Sequence, residues 1–426
     1  MNDTNNSIEK EKQKKVFEVA KDAVIASRKL REVSASDKVD ALKLIADVLD
    51  NKADDIKFRN EIDIEAARQD NLPDALIDRL VLTDDRIRLM TDGIREVAEL
   101  KDPVGEIIEE WTRPNGLIIE KVRVPLGVVA IIYESRPNVT ADASALCLMS
   151  SNAVILRGGT ESLNSNLAIG QYIKEALEQA GLDPCSAQVI DDSDRKIVEY
   201  LVSMKGMVDV VIPRGSEEMI KTITRMSLIP VIGHGKGLCH IYVDKSADSR
   251  KAEDIVLNAK VQRPGVCNAV ETLLVHSEIA SQILPGICVK LKEAGVTIRG
   301  DERAAGIYDM EPANEEDWNT EYLALILSVK IVDDLNAAVE HIERYGSGHS
   351  DCIISEDETA CQKFMKSVDS ACVYSNASTR FTDGNQMGLG AEIGISNQKL
   401  HARGPMGLKE LTTYKYLIRG SGQIRK

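Results

Sequence analysis

Between residues 8 and 100 apolar side chains recur at helical spacing. In "DKVDALKLIADVLDNKADDI" Val39, Leu42, Leu44, Ile45, Val48 and Leu49 alternate with charges, which predicts amphipathic helices. From Pro103 the period changes. "EIIEEWTRPNGLIIEKVRVP" holds two β-rich runs around Pro114-Asn115-Gly116, a hairpin signal because Asn-Gly tolerates positive φ. A hairpin of this length has little core of its own, so it is expected to pair with another chain or to brace a distant part of this one. Next come four short apolar runs, "GVVAIIYES", "AVILR", "AQVI" and "VDVVIP", with helical segments such as "NSNLAIGQYIKEALEQAG" between them. That rhythm predicts a parallel, doubly wound sheet through about residue 244. A second α/β series follows in "ETLLVH", "SQILPGICVKLKEAG", "ALILSVKIV", "LNAAVEHIERYG", "DCIISED" and "ACVYSN". The final "LTTYKYLIRGSGQIRK" reads as a terminal strand.

At 426 residues the chain exceeds one ordinary core, so two or three domains are expected. A formal net charge of -15 argues against a nucleic-acid or anionic-membrane partner, and an anionic substrate would depend on local Arg and Lys. The N-terminus lacks an apolar core of signal-peptide type, and no run of about 18 apolar residues spans a bilayer. Eight cysteines, at 147, 185, 239, 267, 288, 352, 361 and 372, form no Cys-x-x-Cys pair and no disulfide framework, so a cytoplasmic location is expected. The six histidines include no His-Glu-x-x-His and no cluster with zinc spacing; no metal is expected.

One cysteine stands in an unusual context. Cys267 follows the backbone-bending run Arg263-Pro264-Gly265 and precedes an apolar strand. It is either one more buried thiol or a nucleophile at the lip of a cleft. Arg263 is a local source of the positive potential that favours a thiolate. The glycine clusters "GHGKG" at 233–237 and "GLGAEIG" at 388–394 both miss the dinucleotide fingerprint. "ILRGGTES" at 155–162 is better placed. It ends a buried strand before a helix, at the edge where open α/β sheets bind ligands, and Arg157 there either meets a phosphate or ribose or closes an ordinary turn.

In their order, "PLGVVAIIYESRPN", "NAVILRGGTES", "VIPRGSEEM", "GHGKGLCHIYVD", "QRPGVCNAVETLLVH", "TEYLALILSVKIV" and "HARGPMGLKELTTYKY" resemble the aldehyde dehydrogenase superfamily over nearly the whole chain. More narrowly, "YESRPNVTADASAL", "AEIGISNQKLHARGPMGL" and "ELTTYKY" resemble its branch that acts on an acyl phosphate of glutamate. The resemblance implies an aldehyde dehydrogenase-like α/β fold: two doubly wound α/β domains plus a β-hairpin oligomerisation element. The expected division is an NADP(H)-binding domain over 1–104 and 125–244, a catalytic domain over 245–408, and an oligomerisation hairpin and terminal strand over 105–124 and 409–426.

The same resemblance implies residue roles. Cys267 falls on the thiol nucleophile. Asn138 falls on the amide that, with a backbone N–H, forms the oxyanion hole. Arg157 matches a Lys that contacts the adenosine ribose or its phosphate. Thr160 stands where NAD-preferring relatives place a Glu, which favours NADP(H), although Glu161 is adjacent. Gly215 and Ser216 match a turn near the cofactor's phosphates, and Glu321 a Glu on the nicotinamide ribose. Lys399 and Arg403 are candidates for the substrate's anionic groups.

Hydrolytic relatives carry a Glu that activates water; the matching segment here, Pro230 to Val243, has no carboxylate, and His234 is a candidate substitute base. The implied reaction is NADPH-dependent reduction of L-glutamyl 5-phosphate to L-glutamate 5-semialdehyde and phosphate through a Cys thioester, in proline biosynthesis. A homo-oligomer is implied, with the upstream glutamate kinase as a candidate partner. The alternatives are a CoA-acylating aldehyde dehydrogenase and a catalytically inert member with a binding role.

Overall fold

The computed structural model describes residues 2–233 and 235–425. The chain divides into two compact units, Met1–Gly233 with Gly388–Gly394 and Met406–Lys426, and His234–Met387 with Ile395–Pro405.

The first unit opens with five helices, α1 (Asn2–Leu30), α2 (Ala35–Asn51), α3 (Ala53–Gln69), α4 (Asp74–Leu80) and α5 (Asp84–Glu99). Local chemistry sets their starts: the Ser34 side chain accepts from the Asp37 N–H and the Thr83 side chain from the Arg86 N–H, each satisfying an orphan donor of the first turn. α2 buries Leu42, Ile45 and Leu49, and α5 buries Ile87, Met90, Ile94 and Val97, the stripes that the periodicity predicts. Lys38 is buried too. Its ammonium is satisfied by Asp102, the Met149 carbonyl at 3.1 Å and Ser151 Oγ at 2.9 Å.

β1 (Ile107–Thr112) and β2 (Ile118–Pro125) form the hairpin. The turn is not the two-residue Asn-Gly type: Pro114 lacks the N–H that would close it, Gly116 but not Asn115 takes positive φ, at +84°, and Arg113 N–H closes onto Leu117 O at 2.8 Å. β2 pairs antiparallel with the C-terminal strand Thr412–Arg419 along its whole length. The hairpin thus braces a distant segment of its own chain. Its sheet leaves Ile107, Tyr414, Tyr416 and Ile418 exposed.

The α/β part follows as β3 (Val128–Tyr133), α6 (Asn138–Met149), β4 (Ala153–Gly158), α7 (Leu163–Gln179), β5 (Ala187–Val189), α8 (Arg195–Leu201), β6 (Val210–Arg214) and α9 (Glu217–Met226). The four strands lie parallel in the order β5-β4-β3-β6. The order reverses at β3, so the loops leaving β3 and β6 flank a topological switch point.

The second unit contains β7 (Cys239–Val243), α10 (Ser249–Val261), β8 (Val270–His276), α11 (Ser277–Glu293), β9 (Thr297–Gly300), α12 (Glu302–Ala305), β10 (Glu311–Pro312), β11 (Ile326–Val332), α13 (Leu335–Tyr345), β12 (Ser350–Ile354), α14 (Glu358–Ser367) and β13 (Cys372–Ser375). They build a parallel sheet in the order β10-β9-β11-β8-β7-β12-β13. The expectation that the first sheet runs through about 244 is corrected here. β7 sits deep in the second sheet, hydrogen-bonded to β8 and β12. An apolar run shows that a strand is buried on both faces, and does not show which sheet it joins.

Candidate active site

In the second unit Cys267 lies in the loop between α10 and β8. It is half-buried, whereas Cys147, Cys239, Cys288, Cys352 and Cys361 are buried. Burial pushes the Cys288 and Cys352 thiols up to about 12 and raises those of Cys147 and Cys239 as well, which makes them inert packing groups. Cys267 is held from below. The Cys239 thiol donates to its carbonyl at 3.2 Å. Gly237 runs so close that a Cβ there would lie 2.1 Å from Cys267 O and 2.5 Å from its Cα. Only glycine fits this approach. The Gly237 N–H in turn donates to Glu321 Oε1 at 3.0 Å, so the glycine loop brings together Cys267 and Glu321. His234, earlier in that loop, lies outside the described residues.

Beneath this loop Lys260 Nζ and Glu271 Oε2 meet at 2.7 Å, both essentially without solvent exposure. Burial pushes the Glu271 carboxyl up to about 7, against the opposing pull of Lys260. Its other oxygen accepts from the Leu323 N–H at 3.3 Å, two residues past Glu321. The pair thus ties the strand that follows Cys267 to the segment that carries Glu321. Asn268 fixes a third segment. Its carbonyl accepts from Thr379 Oγ1 at 2.7 Å, its Nδ2 donates to Thr382 O at 2.7 Å, and its Oδ1 accepts from the Arg380 guanidinium. Sequence reading did not single out Arg380, which lies more than a hundred residues from Cys267. Lys399 and Arg403, by contrast, both engage Asp369, whose carboxyl they hold down at about 2. Their charges already have a counter-ion.

In the first unit Asn138 stands exposed at the start of α6, one turn before Asp142. Its Nδ2 donates to Asp142 Oδ2 at 2.8 Å, which orients the amide. Desolvation pushes Asp142 up to about 6, against the Asn138 hydrogen bond and Arg214. At the end of β4, Arg157 is buried. One Nη donates to Ser193 O, and Nε has no partner among the described residues. A buried donor without an acceptor is costly. Arg157 therefore fits an anionic or ribose oxygen of a dinucleotide at this edge.

Thr160 opens the short turn that follows and is exposed. Glu161 does not share its position: Oε1 is taken by the Ser135 N–H at 2.6 Å and the Ser135 hydroxyl at 2.8 Å. Ser135 holds a φ of +43°, backbone strain beside the switch point. Ser216 caps α9, and its own N–H donates to Glu134 Oε2 at 2.7 Å. A Cβ on Gly215 would lie 2.3 Å from that carboxylate oxygen, so a larger residue there would displace the Glu134 side chain.

Comparison with known proteins identifies the family. Residues 2–304 match the model of the aldehyde dehydrogenase family. A γ-glutamyl phosphate reductase of Caldanaerobacter subterraneus is 55% identical over 96% of this chain and 99% of its own length. One from Syntrophomonas wolfei is 51% identical over 98% of this chain and all of its own. The crystal structure of γ-glutamyl phosphate reductase from Thermotoga maritima superposes with a TM-score of 0.95 at 47% identity, covering 96% of this chain and 100% of that one. An acetylating aldehyde dehydrogenase from Geobacillus thermoglucosidasius shares the fold, with a TM-score of 0.69 at 16% identity over 98% of this chain and 99% of that one. The chain belongs to the aldehyde dehydrogenase family, on the branch of the γ-glutamyl phosphate reductases.

Proposed function

We propose that the chain catalyses the NADPH-dependent reduction of L-glutamyl 5-phosphate to L-glutamate 5-semialdehyde and phosphate, a step of proline biosynthesis. The observation that carries this is identity above 50% to reductases of that name over nearly the full length of both chains. The Cys267 thiolate attacks the acyl carbonyl, and the oriented Asn138 amide with a backbone N–H stabilises the tetrahedral oxyanion. Phosphate departs and leaves a thioester on Cys267. When bound, NADPH supplies a hydride to the thioester carbon. Arg157, Thr160, Gly215, Ser216 and Glu321 are the residues that would hold it. Cys267 then leaves as thiolate and frees the semialdehyde.

The absence of a carboxylate from Pro230 to Val243 supports transfer of the acyl group to phosphate rather than to water. Thr160, with Glu161 turned onto Ser135, supports preference for NADP(H), since no carboxylate would face a 2′-phosphate. Exposed Tyr414, Tyr416 and Ile418 support a role for the hairpin sheet in seating a second copy of the chain. The acyl phosphate would come from glutamate kinase. The test is reduction of NADP⁺ by glutamate 5-semialdehyde in the presence of phosphate. Wild-type protein should turn over and Cys267→Ala should not; turnover by the variant would refute the mechanism.

A further inference from the structure

Two guanidinium groups flank Cys267. Arg263 precedes it by four residues in the same loop and is exposed. Arg380 arrives from the segment after β13. It is anchored by Nε to Gln262 Oε1 at 2.8 Å and by Nη1 to Asn268 Oδ1, on the residues that bracket the loop. Neither arginine forms an ion pair with a carboxylate among the described residues. The acid whose charge acts on Arg380 is Asp383, and its Oδ1 is already engaged by the N–H groups of Asn385 (3.0 Å) and Gln386 (3.2 Å). Arg380 Nη2 has no acceptor among the described residues. The two arginines repel each other, and Arg380 also feels the Cys267 thiolate as an attraction. Like charges held together at the nucleophile, in a chain of net charge -15, mark a place where an anion belongs.

We propose that Arg263 and Arg380 form the subsite for the phosphate of the acyl phosphate, holding it as leaving group in reduction and as attacking group in the reverse direction. The inference rests on the reductase reading above and deepens it. Geometry within the substrate selects which anion sits here. The phosphorus is two bonds from the carbon that Cys267 attacks, whereas the α-carboxylate is separated from that carbon by the whole side chain.

In the forward step the C–S bond forms and the C–O bond to phosphate breaks. Phosphate leaves with the bonding electron pair and takes one proton from solvent. Two guanidiniums neutralise the charge that collects on the departing oxygen, and a planar fork suits a tetrahedral oxyanion. In the reverse step the same pair concentrates inorganic phosphate at the thioester, where the phosphate dianion is itself the nucleophile and needs no base to activate it.

The test is steady-state oxidation of glutamate 5-semialdehyde with NADP⁺ in a non-phosphate buffer, comparing wild type with Arg263→Gln, Arg380→Gln and Arg380→Lys. KM is measured separately for phosphate and for the semialdehyde. Each glutamine variant should raise the KM for phosphate by about 10-fold or more, the loss of one charge-assisted contact. The KM for the semialdehyde should stay within about 3-fold, and Arg380→Lys should recover part of the phosphate affinity. Arg263 is exposed and makes no side-chain hydrogen bond among the described residues, so its variant reports on the site even if loss of the Arg380 anchor disturbs folding. A raised KM for the semialdehyde with an unmoved KM for phosphate would overturn the proposal and give these arginines to the α-carboxylate. Unmoved values for both would overturn it too. A wild type without phosphate-dependent turnover would instead defeat the reductase reading on which the proposal rests.

Discussion

Gly237→Ala adds one methyl group where two backbone segments of the second unit pack directly on each other. Its Cβ would lie 2.1 Å from Cys267 O and 2.5 Å from Cys267 Cα, both backbone atoms, where ordinary contact begins at 3.4 Å. Relief therefore needs a shift of about 1.3 Å between the glycine loop and the nucleophile's backbone. No flexible side chain can absorb it. A displacement of about 1 Å at a reacting group costs on the order of 10²-fold in rate. The overpacking itself costs about 1–3 kcal/mol of stability.

The Gly237 N–H also positions Glu321, so the variant should lose affinity for the nicotinamide cofactor as well as kcat. The assay is kcat with saturating semialdehyde, phosphate and NADP⁺, beside a urea titration to confirm that the protein remains folded. Gly265→Ala is the control. It lies in the Cys267 loop at ordinary φ, and its Cβ would meet only Leu323 O at 3.7 Å, so it should stay within about 3-fold of wild type. A folded Gly237→Ala variant with wild-type kcat would refute the claim that this glycine sets the nucleophile's position.

Lys260→Met removes the charge that holds down the buried Glu271 carboxyl, so that carboxyl keeps its proton to higher pH, and the variant's stability deficit by urea titration should widen as pH rises above about 7; a deficit independent of pH would contradict the pairing. Asp142 has a carboxyl raised to about 6 in the folded state against about 3.9 unfolded. Between those values the folded state holds the extra proton, so stability falls as pH rises from about 4 to about 6 and then levels. Wild type should lose stability relative to Asp142→Asn across that window; a gap independent of pH would refute the desolvation argument. Arg157→Ala should weaken NADP⁺ more than NAD⁺, measured as kcat/KM for each, and an equal loss for both would remove Arg157 from the 2′-phosphate.

The periodicities carry the elements well because they report local burial. The helical stripe of α2, the hairpin and most strands of the two sheets follow from spacing, while the short β9 and β10 do not. Membership of a sheet does not. β7 has the same apolar composition as the strands of the first sheet, and its neighbours β8 and β12 are set by packing at long range. The site divides in the same way. The roles of Cys267 and Asn138 come from the family resemblance, because the local run around Cys267 fits a buried thiol equally well, and the hydrogen bond from Asn138 to Asp142 at i, i+4 emerges only in the structure. Arg380 was illegible, since a residue 113 positions from the nucleophile meets Asn268 only after the second sheet has formed. Lys399 and Arg403 looked available because Asp369, which engages both, lies about thirty residues away.

The central claim is that the acyl group on Cys267 passes to phosphate and resists water. It is tested most directly by pre-steady-state oxidation of glutamate 5-semialdehyde in a non-phosphate buffer with freshly desalted protein. Without an acceptor, NADPH should appear as a burst no larger than one equivalent per active site, followed by a slow phase while the thioester persists. Addition of phosphate should restore steady turnover, and arsenate should do the same because it attacks the thioester similarly. Rapid multiple turnover in water alone would contradict the account and turn attention to His234 as a base that activates water.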